Sequence, residues 1–196
     1  MKYAAIITLG LCLGAGGALA GDKHDHAHDR RELGAHQHGH GTLAIAIEAG
    51  TVAIELRAPG ADIAGFEHAA KTDADRKAID TAKQKLAAAL DLFTPPAAAR
   101  CTLASANVAL EGETGGHDHE KKAAEKPDHD AAAHSEFHAT YELACAAPEN
   151  LTTITFNYFK AFANTRALDV QVIGPGGQRR FEVKPAKPVI DLSGII

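Results

Sequence analysis

Two short stretches near the start of the chain constrain its fold more than any other feature. Residues 42–48 (TLAIAIE) and 51–57 (TVAIELR) each alternate apolar with polar side chains, and only Ala49-Gly50 separates them. Alternation with period two puts Leu43, Ile45 and Ile47 on one face of a strand. It does the same for Val52, Ile54 and Leu56 on the next, and a two-residue connection containing Gly joins the pair as an antiparallel hairpin. Its apolar face must be covered. Thr72-Asp73-Ala74-Asp75 resembles a capping box with Asp in place of the usual Glu, and it opens a helical pattern. Ile79, Leu86, Leu90 and Phe93 fall on one stripe of that helix, and Pro95-Pro96 ends it. Residues 101–110, 135–145 and 151–157 read as further strands, and 158–164 as a short helical turn. Residues 167–173 and 178–183 form a second hairpin around Gly174-Pro175-Gly176-Gly177, and 188–192 a last strand. The expectation is an α+β domain: a mainly antiparallel β-sheet, one main helix and a disordered His-rich insertion.

The ends place this domain in a compartment. Lys2 precedes a stretch from Ala4 to Leu19 without charge, and Ala18-Leu19-Ala20 offers small residues where a signal peptidase cuts. Residues 1–20 are therefore expected to be a cleavable signal peptide, too short and Gly-rich for a stable membrane anchor. The expected destination is the bacterial periplasm. Residues 21–35 read as a disordered His/Asp-rich leader, residues 36–196 as a single domain, and 111–133 as a flexible loop within it. The formal net charge of −5 argues against nucleic acid as a partner and suits a cationic ligand. Cys12 lies in the signal segment, which leaves Cys101 and Cys145. An even pair in an oxidising compartment reads as a disulfide, closing a loop of about 45 residues and stabilising by roughly 3–4 kcal/mol. A pair of thiolate ligands is the competing reading, although the close spacing of a zinc knuckle is missing.

Twelve histidines are distributed unevenly. They fall at His24, His26 and His28, at His36, His38 and His40, at His68, and from His117 to His138. Strand parity groups some of them. With Phe137, Tyr141, Leu143 and Cys145 inward, His134, Glu136 and His138 share the other face, as do His36, His38 and His40 at the start of the first strand. Two H-x-H patterns on neighbouring strands would lie within reach of one cation. The expected metal ligands are His38, His40, His68, His134 and His138, with His36 and Glu136 as further candidates and His117, His119 and His129 as weaker sites in the loop. Glu67 and Glu136 are expected to orient imidazoles or to serve as oxygen ligands. Neutral imidazole suits zinc, copper and nickel.

At His36-Gln37-His38-Gly39-His40, Gly65-Phe66-Glu67-His68-Ala69 and His134-Ser135-Glu136-Phe137-His138-Ala139, the chain resembles the ZrgA family of zinc-regulated periplasmic zinc-uptake proteins. Lys71-Thr72-Asp73-Ala74, the cysteine on each side of a His-rich insertion, and Asp169-Val170-Gln171-Val172 extend the likeness over most of the chain. The resemblance implies a protein that binds Zn2+ and assists its uptake, alongside a zinc ABC importer or its binding protein. It carries ligand roles to His38, His40, His68, His134 and His138.

Two other function classes fit part of the sequence. A copper or nickel sequestering protein fits the imidazoles, but once Met1 leaves with the signal no methionine remains for Cu(I). A zinc hydrolase or lyase would need an open coordination position, and the chain has neither H-E-x-x-H nor a nucleophile motif. The expectation is a binding protein, not an enzyme.

Overall fold

A computed structural model describes residues 37–112 and 134–196. The expected signal peptide, the leader, most of the expected loop, and His36, His117, His119 and His129 lie outside the described residues.

The first hairpin forms as its alternation predicts. Strand β1 (His40–Glu48) pairs with β2 (Thr51–Pro59) through Ile45↔Ile54. Ala49 and Gly50 both take positive φ, 47° and 86°, a backbone twist that matches the right-handed twist of the flanking strands. The chain then makes a single turn of helix, α1 (Gly60–Ile63), and crosses to the main helix α2 (Asp73–Ala87). Thr72 and Asp75 close the capping box in both directions: the Asp75 N–H donates to Thr72 Oγ1 at 3.1 Å and the Thr72 N–H to Asp75 Oδ2 at 2.9 Å. The shorter Asp therefore replaces Glu without losing either bond.

The helix stops earlier than its apolar stripe suggests. It breaks at Ala88, resumes as α3 (Ala89–Leu92), and gives way to the two-residue strand β3 (Phe93–Thr94). Phe93 is therefore a strand residue, placed between layers rather than on the helix. Strands β4 (Cys101–Glu111) and β5 (Glu136–Cys145) flank the insertion. β6 (Thr153–Phe156), the helical turn α4 (Tyr158–Ala161), β7 (Ala167–Gly174), β8 (Gly177–Val183) and β9 (Val189–Asp191) complete the chain.

Six strands form the main sheet in the order β4-β5-β2-β1-β7-β8, and β3-β6-β9 form a small second sheet. All pairings in both sheets are antiparallel except β1 with β7. Leu43, Ile45, Val52, Ile54, Leu56, Phe137, Tyr141, Val170 and Val172 all point to one buried face. Against it lie Ile79, Ala82 and Leu86 of α2 and a cluster of aromatics. Phe93 joins the layers: its ring lies 6.0 Å from Tyr141 of the main sheet, 5.7 Å from Phe156 of the small sheet and 5.9 Å from Tyr158. Cys101 and Cys145 face one another across β4 and β5 and form the expected disulfide. Among the described residues, no helix is long and apolar enough to cross a membrane.

Candidate metal site

Strand order decides which histidines meet. β1 and β5 are not neighbours, because β2 lies between them and pairs with both. A single site built from two adjacent H-x-H strands is therefore not what the sheet provides. Both strands do begin at the end of the sheet where β2 finishes, with Thr42 opposite Arg57 and Glu136 opposite Pro59. The residues just before them, His38 and His134, thus flank the chain as it leaves β2 for α1.

The connection after α1 brings Glu67 between these two histidines. His134 Nδ1 lies 2.7 Å from Glu67 Oε2, and His38 Nε2 lies 3.0 Å from Glu67 Oε1. The second contact is at ion-pair distance but not aligned as a hydrogen bond, so the buried Oε1 remains without one. The carboxylate side chain is only 12 % exposed, whereas the rings of His38 and His134 are 64 % and 57 % exposed. Burial pushes the Glu67 carboxyl up, but its contacts with His134 and His38 outweigh this and hold it below the usual range. A carboxylate on one ring nitrogen fixes the tautomer and leaves the lone pair on the other nitrogen, which is how metal-binding imidazoles are usually oriented.

Asp62 of α1 sits at the same corner, 5 % exposed. Both of its oxygens lie 2.9 Å from the Gly39 nitrogen and accept the one N–H. Gly39 needs its φ of +85° to turn the chain between His38 and His40, and the His40 N–H closes the turn on Gln37 O at 3.0 Å. Burial raises the Asp62 carboxyl above its usual range against the opposing pull of the Gly39 hydrogen bond and the His38 and His40 imidazoles; Glu67 adds to the rise. A small pocket of about 360 Å³ is lined by His38, Asp62, Asn164 and Arg166, among others.

His138 belongs to a different cluster. It lies opposite Arg57 on β2 and Ala109 on β4. Its Nε2 is 2.9 Å from Glu55 Oε1 and its Nδ1 is 3.1 Å from Glu111 Oε1. The Arg57 guanidinium contacts Glu55 at 3.3 Å, Glu111 at 3.5 Å and Glu136 at 3.3 Å. Glu136, which strand parity assigns to the outer face, is nevertheless only 4 % exposed. Arg57 acts as the resident cation of these three carboxylates. Its replacement by Met is expected to destabilise the domain by about 1–2 kcal/mol, less than a fully buried ion pair because the arginine is partly exposed. Urea unfolding of the variant checks this, and an unchanged midpoint would mean the carboxylates do not depend on that charge.

The remaining candidates stand apart. His68 stacks on Phe66 at 4.6 Å, and its Nδ1 lies 3.0 Å from Ala69 O, which leaves Nε2 to carry the lone pair if Nδ1 donates. His40 opens β1 opposite Ala167. His134 precedes β5 instead of lying on it. Among the described residues, no three His, Cys, Asp or Glu side chains converge closely enough to hold a metal ion as they stand. A groove of about 700 Å³ over the outer face, near Arg57 and Arg180, has no histidine among the described residues of its lining.

Asp62, Glu55, Glu111 and Arg57 are not among the residues that the sequence pattern singles out. Asp62 carried a signal, since it is the only charge in the segment Ala58-Pro59-Gly60-Ala61-Asp62-Ile63-Ala64. The other three occupy outward strand positions whose meaning depends on which strands pair.

Imidazole and carboxylate side chains on an α+β domain are donor types that suit first-row divalent cations. The family comparison is more specific. The chain belongs to the ZrgA family: the family model described as "ZrgA family zinc uptake protein" matches residues 35–192. Membership supports a role in zinc uptake and an association with zinc, and it suggests a binding protein without catalysis. Comparison with curated proteins gives no match.

Proposed function

We propose that this chain is a periplasmic zinc-binding protein that assists zinc uptake. His38 and His134 hold Zn2+ at the sheet end, Glu67 orders them, and His40 and His68 are the additional imidazoles that the sequence implies. The insertion histidines His117, His119 and His129 capture further ions weakly and raise the local zinc concentration. The zinc then passes to a zinc ABC importer or its binding protein. His138 is the least favoured of the ligands implied by sequence, because both of its ring nitrogens face carboxylates that already share Arg57.

The observation that carries this reading is a contrast between the two carboxylate clusters. Glu55, Glu111 and Glu136 surround a guanidinium. Among the described residues, no lysine or arginine forms an ion pair with Glu67 or Asp62, whose partners there are imidazoles and one backbone N–H. Buried carboxylates require a compensating charge. Here an incoming divalent cation supplies it.

Zinc titration calorimetry on the chain, with and without residues 113–133, tests the reading. One tight site is expected to survive the deletion and to weaken at least about tenfold in His38→Ala and in His134→Ala. Loss of all binding with the insertion would reduce the protein to a His-tract buffer.

A further inference from the structure

Asp62 is a buried carboxylate at the zinc corner with too few partners. Among the described residues its two oxygens share one donor, the Gly39 N–H at 2.9 Å from each. An ionised carboxylate accepts about four hydrogen bonds, so one amide leaves most of its capacity unused. The residue is 5 % exposed, so bulk water has little access to the remaining positions. It lines the same small pocket as His38. Arg166 lines that pocket too, but its methylenes lie against Gly39, and among the described residues it makes no ion pair with Asp62.

We propose that the Asp62 carboxylate is an oxygen ligand of the bound zinc, joining His38 at the pocket formed by the Gly39 turn. The proposal rests on the reading of His38, Glu67 and His134 as the zinc site, and it adds a ligand from α1. Zinc accepts carboxylate oxygen together with imidazole nitrogen. The charges also balance. Two neutral imidazoles leave the ion's double positive charge uncompensated, whereas Asp62 and Glu67 together neutralise it. The hydrogen bond from Gly39 then has a second role, since it orients the carboxylate on the same turn that presents His38.

The test is Asp62→Asn in the full chain, compared with wild type and with Glu67→Ala. The tightest-site zinc affinity is measured by competition with a chromophoric chelator, and the metal-free Tm by circular dichroism. Asn keeps an oxygen for the Gly39 N–H and removes a buried charge. The expected result is an affinity loss of about tenfold or more, with a metal-free Tm that is unchanged or higher. A residue serving only the fold would give the opposite pair, a lower Tm with affinity unchanged, and that result overturns the proposal. If Glu67→Ala and His134→Ala also leave affinity unchanged, the zinc-site reading itself fails. If only Asp62→Asn does, the ligand assignment alone fails. Should Asp62→Asn not fold, the Gly39 amide in wild-type protein decides. One equivalent of zinc draws charge from its acceptor and must shift the amide proton resonance, and an unmoved resonance overturns the assignment.

Discussion

Replacing Glu67 by alanine is expected to weaken the tight zinc site by about 10–100-fold, the usual effect of removing a carboxylate that orients metal-binding imidazoles. Both His38 and His134 contact this one side chain, at 3.0 and 2.7 Å. Its loss frees two rings at once and removes the buried negative charge opposite the ion. Glu67→Gln should fall between alanine and wild type, because the amide keeps an oxygen for one ring and presents an NH2 group to the other. Chelator competition on both variants reads the effect, and an alanine variant within twofold of wild type would remove Glu67 from the site. The pH dependence separates the two kinds of group. Glu67 is held below the usual carboxylate range, so it stays ionised as pH falls from 7.5 to 5. An ordinary imidazole titrates near 6.5, and proton competition sets in as pH drops through that value. Affinity should therefore fall at least about tenfold over this interval. The same fall should persist in Glu67→Gln, and equal affinity at pH 7.5 and 5 would rule out imidazole ligation.

Much of this architecture is legible in the residues, and the parts that are not share one physical cause. Period-two alternation correctly assigns Leu43, Ile54, Phe137 and Tyr141 to the core face, because a strand's own geometry fixes that choice. The capping box at Thr72 and Asp75 and both hairpin turns are equally local. Alternation does not say which strands pair. That is decided by long-range packing, which sets β2 between β1 and β5 and pairs β1 in parallel with β7. The single imagined histidine cluster therefore separates into His38 and His134 around Glu67, and His138 among Glu55, Glu111 and Arg57. The helix ends before its apolar stripe does for a related reason. Leu86 and Phe93 are both buried, but Phe93 packs on Phe156 and Tyr141 from a strand, where a helical continuation would have placed it differently. A stripe of apolar residues records burial and not the element that delivers it.

Reducing the Cys101–Cys145 disulfide, or replacing both cysteines by serine, is expected to lower stability by about 3–4 kcal/mol on the chain-entropy model. The two cysteines are 44 residues apart, and the insertion lies within the loop they close. Without the link, the unfolded chain regains freedom that the native sheet must again remove. The loss should also be uneven. β4 is an edge strand, exposed along most of its length and paired only with β5. The disulfide anchors one end of that pairing, while Glu111 sits at the other end, opposite Glu136 and in contact with His138. Hydrogen exchange should therefore rise first along β4, and the Glu111 contact to His138 should loosen. The corner formed by His38, Glu67 and His134 rests on β1, β2 and β5 instead. Its zinc affinity should remain within about threefold of wild type under conditions where the reduced protein is still folded, since the corner lies at the end of the β4–β5 pairing opposite the disulfide and distant sites couple weakly. Urea unfolding paired with chelator competition measures both quantities on one sample. A parallel collapse of stability and tight zinc binding in the still-folded reduced protein would mean that the site depends on β4, and that the two clusters are coupled.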